Sequence, residues 1–243
     1  MKWQLWLSPD EMYDKEQFPQ EWANAHKWRL PAEWLPALCD KAHSRGMAFG
    51  LSSFGFASLD EADKWVDFHK VASIEAQWVD FVERVIRKDK PTIISKGMSE
   101  VNGWGIGDHI DLHCTVAYPA SLEDVNLRSA PDMEMEPNDR RMWGLSDHTT
   151  HPTIAPCAAV SLGSCVVEKH IRLGQPDSFG MQAYGCDDQP PDWNHSLWPA
   201  AFAEMVSAIR LTEQALGSSE KRIRPSEEKF LKYRRGPRGL RGA

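Results

Sequence analysis

The chain has 243 residues, 42% of them apolar, and a formal net charge of −7. That length suits one α/β barrel or two small domains with a sizeable core, and the acidic balance argues against nucleic acid as a partner. No apolar run approaches the ~18 residues of a membrane span, and no long apolar stretch of a signal peptide follows Met1-Lys2-Trp3-Gln4.

Residues 2–7 alternate and are aromatic-rich, which predicts a strand. A polar, aromatic loop is expected up to Leu30. Pro31 then opens a helix with Trp34, Leu35, Leu38 and Ala42 at helical spacing, ending at Gly46. Residues 47–53 read as the next strand. Ser58 caps a short helix through Trp65 and Val66, and residues 69–73 form a strand with a polar end. Trp78, Phe81, Val82 and Val85 mark a helix with a basic C-terminal end, and residues 92–95 form another strand. Three more strands are expected at 110–112, 142–145 and 165–167.

Strands alternating with helices predict a parallel sheet with crossover helices. The expected fold is α/β: a TIM-type (β/α) barrel, reduced to about seven recognisable strands. Two connections depart from the pattern. Between Met98 and His109 there are too few residues for a full crossover helix, and 130–141 is polar and holds Pro131 and Pro137, which disfavours a long helix. A final helix spans about 199–216 and stops at Gly217. The barrel domain therefore covers 1–217. Residues 218–243 form a basic linker or disordered tail, with nine Lys or Arg from Lys221 onward; it is either solvated or a contact to an acidic partner. The five cysteines (Cys39, Cys114, Cys157, Cys165, Cys186) are odd in number and lack CxxC spacing. Cys157 and Cys165 lie in apolar runs and are expected to be buried, and a reduced, cytoplasmic setting follows.

Polar residues at the C-terminal ends of successive strands are the sequence mark of a β/α-barrel active site. Three such phrases occur: His113-Cys114-Thr115, Ser146-Asp147-His148-Thr149 and Glu168-Lys169-His170. His113 and His148, 35 residues apart, fall on adjacent strands and suit a divalent ion with open positions. Asp147 either orients His148 or caps the following turn. Lys2 and Lys70 at strand positions, with Ser73, Ser95, Lys96 and Ser99, suit a small anionic ligand carrying phosphate and carboxylate. Glu75 is placed for general acid–base work or as a helix-start carboxylate. Ser52 and Ser53 are weaker signals at a strand end.

Several phrases together resemble the sialic acid synthase (N-acetylneuraminate synthase) family. They are Lys70-Val71-Ala72-Ser73-Ile74-Glu75, Ile94-Ser95-Lys96-Gly97-Met98-Ser99, His113 through Pro119, Glu123 through Arg128, Gly144 through Thr149, Leu162-Gly163 through His170, and Pro191-Asp192 with Ser196-Leu197. The resemblance runs in order from about Lys2 to Gly217. It implies condensation of phosphoenolpyruvate with an open-chain N-acyl amino sugar of the N-acetylmannosamine type, giving a nine-carbon sialic-type acid and phosphate, as a step of carbohydrate biosynthesis. It implies a divalent metal, manganese, held by His113 and His148. Lys2, Lys70, Ser73 and Ser95 would hold phosphoenolpyruvate, Glu75 would transfer a proton, and Ser53 and Tyr118 would contact substrate. A homodimer is expected. Against the family pattern, Lys2 falls in the second strand, so the sequence reads as a barrel lacking the first βα unit and the C-terminal antifreeze-like domain. The rival expectation is a non-catalytic barrel remnant that binds a sugar or phosphate ligand or pairs with a complete synthase.

Overall fold

The computed structural model describes residues 1–98, 109–130, 142–173 and 192–236. Among the described residues, seven strands form one parallel sheet in chain order: β1 (Lys2–Leu5), β2 (Gly50–Ser53), β3 (Phe68–Val71), β4 (Thr92–Ser95), β5 (Ile110–Cys114), β6 (Trp143–Asp147) and β7 (Val166–Lys169). All seven lie where the apolar runs place them. Six strand spacings of about 4.8 Å would hold β1 and β7 roughly 29 Å apart in a flat sheet. Lys2 Nζ on β1 nevertheless lies 3.7 Å from Glu168 Oε2 on β7. The sheet is therefore strongly curled among the described residues, and both side chains point to its concave side.

The register assigns every strand residue to one of two faces. Lys70 pairs with Ser52 and Ile93, Ser95 with Leu112, Cys114 with Ser146, and Ser146 with Glu168. These residues share the concave side with Lys2. The intervening residues face helices on the outside. Leu5 and Leu51 pack with Leu35, Cys39 and Ala42 of the helix Leu35–His43 (α2). Val71 and Ile94 pack with Leu59 of α3 (Phe56–Ala62) and with Phe81, Val82 and Val85 of α4 (Val79–Ile86). Trp143 and Leu145 pack with Val125 of α5 (Leu122–Val125) and with Ala155 and Ala159 of α6 (Ile154–Ser161). Each fully buried Leu, Val or Phe contributes about 1.5–3 kcal/mol, so the outer face carries most of the stability and leaves the concave face free for polar groups.

The segment expected to be loop before Leu30 contains a helix, α1 (Pro19–Lys27). It buries only Ala25, whose carbonyl accepts from Trp6 Nε1 at 2.9 Å, so it leaves little apolar periodicity to read. α3 starts at Phe56, two residues before the expected Ser58 cap. Ser58 sits at the third helical position, its Oγ accepting from Gly55 N at 3.1 Å, while Glu11, in the 3₁₀ turn after β1 (Pro9–Glu11), accepts from Ser58 N (2.8 Å) and Leu7 N (2.6 Å). Cys157 is half-buried and Cys165 exposed, where both were expected to be buried; Cys165 is the second residue after Gly163, at the foot of β7, and its thiol reaches the Trp143 carbonyl. The long helix α7 (Pro199–Leu216) ends at Gly217, whose φ of 61° suits glycine. Beyond it the described residues are mostly exposed and include the short helix α8 (Pro225–Glu228). The two connections read as short or proline-broken, 99–108 and 131–141, lie outside the described residues, as do Ser99 and Cys186. Among the described residues, no helix is long and apolar enough to cross a membrane.

Candidate active site

Two polar clusters meet on the concave side, near the C-terminal ends of the strands. The first is built around Lys70, which is 3% exposed. Its Nζ donates to Ser95 Oγ and to the Val71 carbonyl, each at 2.7 Å, and stands 3.9 Å from Glu168 Oε1. Glu168 also faces Lys2 and accepts from Ser146 Oγ at 2.8 Å. Burial pushes the Glu168 carboxyl upward, but Lys70, Lys2, the Ser146 hydroxyl and His170 outweigh it and hold the group at about 2. Burial also lowers the Lys70 ammonium, against the pull of Glu168. Two lysines and one carboxylate leave this cluster with one net positive charge. Ser73 Oγ lies beside it and accepts from Gly97 N at 3.0 Å. The approach requires glycine: a Cβ at Gly97 would lie 2.9 Å from Ser73 Oγ and 2.4 Å from Val116 Cγ2. Glu75 sits nearby with Oε2 buried and without a hydrogen-bond partner among the described residues, and burial raises its carboxyl to about 7 in spite of Lys70.

The second cluster is aromatic and imidazole-rich. His148 Nδ1 donates to the Thr115 carbonyl at 2.8 Å, which leaves Nε2 outside that bond. The His148 ring lies 5.5 Å from those of His170 and His195, and His170 and His195 are 4.7 Å apart. Tyr118, joined to Pro119 by a cis peptide bond, packs over His148 (4.5 Å) and His195 (4.9 Å). Asp192 approaches His170 Nδ1 at 3.3 Å and His195 Nε2 at 3.6 Å. The ligand atoms of His170, Asp192 and His195 all lie within 4.8 Å of one another. Burial lowers the His148 imidazole, and burial together with His170 brings His195 down to about 4, so both rings favour the neutral, ligand-competent form.

Most of the expected site residues lie on this side: Lys2, Lys70, Ser73, Ser95, Glu75, Tyr118 and His148. Three do not. His113 pairs with Leu145 in the ladder, faces the helix layer, and donates from Nε2 to the Val125 carbonyl of α5 at 2.6 Å, so it is not a partner of His148. Ser53 pairs with Leu5 and shares its outward face, whereas Ser52 pairs with Lys70. Lys96 forms an ion pair with Asp111 at 3.3 Å, on the outer side of β5. Asp147 caps the turn by accepting from Thr149 N and pairs with buried Lys169, both on the outer face. Sequence reasoning gave no role to Glu168 and His170. Their signal is parity: 146, 148, 168 and 170 share a face. Asp192 and His195 reach the site on a 3₁₀ turn (Trp193–His195), where no strand or helix period points to them.

The NeuB family model matches residues 8–221. The chain belongs to the NeuB family. Among curated NeuB relatives, the pseudaminic acid synthase of Campylobacter jejuni strain 81-176 is 30% identical, over 94% of this chain and 64% of its own length. The N-acetylneuraminate-9-phosphate synthase of Homo sapiens is 33% identical, over 74% of this chain and 48% of its own. The chain thus spans about half to two-thirds of the length of these NeuB relatives. The crystal structure of a sialic acid synthetase from Leptospira borgpetersenii, in complex with citrate, superposes with a TM-score of 0.80 at 19% identity, covering 98% of this chain and 81% of the other, and supports a shared NeuB barrel fold.

Proposed function

We propose that this chain condenses phosphoenolpyruvate with the aldehyde form of an N-acyl amino sugar of the N-acetylmannosamine type, yielding a sialic-type nonulosonic acid. One C–C bond forms, one water is consumed and phosphate leaves. The observation that carries this reading is the pair of inward lysines with hydroxyl donors, set directly beside the imidazole cluster. A phosphate- and carboxylate-bearing substrate needs fixed cationic charge and donors, and the second substrate needs an adjacent site that activates its carbonyl.

In this reading Lys2 and Lys70 bind the anionic substrate, while Ser73 and Ser95 orient it. Glu168 faces both lysines and supplies their counter-charge. Glu75, poised near neutrality, takes or returns a proton. The imidazole cluster fits a divalent ion on two grounds. The Thr115 carbonyl fixes the His148 tautomer with Nε2 available, and imidazole and carboxylate donors converge around His170. His148 and His170 would hold the ion, manganese by the family resemblance, and it would supply Lewis-acid polarisation of the aldehyde oxygen. Tyr118 packs its ring against His148 and His195.

The test is phosphate release dependent on phosphoenolpyruvate, with N-acetylmannosamine and manganese, comparing the wild type with His148→Ala and His113→Ala. The expected result is loss of activity in His148→Ala and retention in His113→Ala. Equal rates for the wild type and His148→Ala would overturn the assignment. Binding of phosphoenolpyruvate with no phosphate release would favour a ligand-binding barrel instead.

A further inference from the structure

His195 is 1% exposed, and neither of its ring nitrogens has a hydrogen-bond partner among the described residues. Buried polar groups are nearly always paired, so such a ring calls for an explanation. Its position is held by backbone rather than by chance packing. Leu197 N donates to the His170 carbonyl at 2.9 Å, Arg172 N donates to the Leu197 carbonyl at 2.9 Å, and Arg172 Nη1 donates to the Trp193 carbonyl at 2.6 Å. The bridge between Ile171 and Leu197 thus clamps the turn carrying His195 against the extension of β7. The polar groups around the ring are His170, His148 and Asp192, all side chains able to ligate a metal, together with Tyr118.

We propose that His195 is a direct ligand of the divalent ion proposed above, beside His170 and with Asp192 adding a carboxylate, the ligand atoms of these three lying within 4.8 Å of one another. This rests on the metal reading above. A site with three imidazoles retains its ion without substrate. It also shifts preference toward imidazole-favouring ions such as zinc, iron(II) and cobalt(II), away from manganese and magnesium. A lone positioning role through Asp192 would give neither effect.

The experiment uses the full metal-free chain titrated with cobalt(II) and with manganese(II), followed by calorimetry and by cobalt visible absorption. Loss of a ligand should weaken cobalt binding by more than the roughly 10–100-fold typical of groups that only orient a ligand. The expected result for His195→Ala is a loss above about 100-fold, an altered cobalt spectrum and a smaller preference for cobalt over manganese. His195→Gln, which retains volume and an oxygen donor, serves if the alanine variant does not fold, and is expected to show the same spectral change. Unchanged affinity, or a smaller loss with an unchanged spectrum, overturns the ligand assignment. If the wild type binds no ion, or His170→Ala binds as tightly as the wild type, the underlying metal reading fails instead.

Discussion

Replacing Glu168 with glutamine removes one charge while keeping shape, and the structure gives the consequence a size. The side chain is 21% exposed and faces Lys70 at 3.9 Å and Lys2 at 3.7 Å. Burial opposes its ionisation, yet Lys70, Lys2, Ser146 and His170 bring it from 4.5 to about 2. At ~1.4 kcal/mol for each pH unit, this displacement corresponds to roughly 3 kcal/mol. The folded value lies below the unfolded one, so the stabilisation is fully present above about pH 4.5 and is lost as the pH falls through 2. Glu168→Gln should therefore lower the unfolding free energy by about 3 kcal/mol at pH 7 and by about half that at pH 3. Urea titration followed by tryptophan fluorescence measures both. The same substitution leaves the two lysines uncompensated, so inorganic phosphate should bind more tightly and raise the Tm of the variant more than that of the wild type. A loss below about 1 kcal/mol at pH 7, an equal loss at pH 3, or weaker phosphate binding would refute the account of Glu168 as the counter-charge of the anion site.

Glu75 behaves with the opposite sign. Its folded carboxyl sits at about 7 against 4.5, so stability falls as the pH rises from 4.5 through 7, by about 3 kcal/mol at most. Glu75→Gln should match the wild type near pH 4 and exceed it near pH 8 in thermal melts, while phosphate release loses the limb of its pH profile near 7. Lys169 and Asp147 form a pair at 2.9 Å with both side chains fully buried. Lys169→Met should cost about 3–5 kcal/mol by stranding the carboxylate, and adding Asp147→Asn should recover most of it, as read from urea midpoints.

The fold was legible because its signal is repeated. Seven short apolar runs, each followed by a helical segment or a polar loop, specify a parallel sheet whatever the details of any one element. The site was legible at lower resolution. Placement at a strand end finds the right phrases, but a strand has a period of two, so a one-residue choice decides between the cavity and the helix layer. Within His113-Cys114-Thr115, the inward residue is Cys114, and His113 bonds to the Val125 carbonyl of α5. Within Ser52-Ser53 the inward residue is Ser52. The parity rule, applied consistently from Ser146 through Glu168, selects His148 and His170 as the facing imidazoles, which the spacing between His113 and His148 does not. Asp192 and His195 were beyond this kind of reading, since a 3₁₀ turn presents them and only the pairing of Leu197 with the end of β7 brings that turn to the cavity. Charge complementarity is similarly invisible in one dimension: Lys2, Lys70 and Glu168 lie on three strands, and only the curl of the sheet makes them one electrostatic unit.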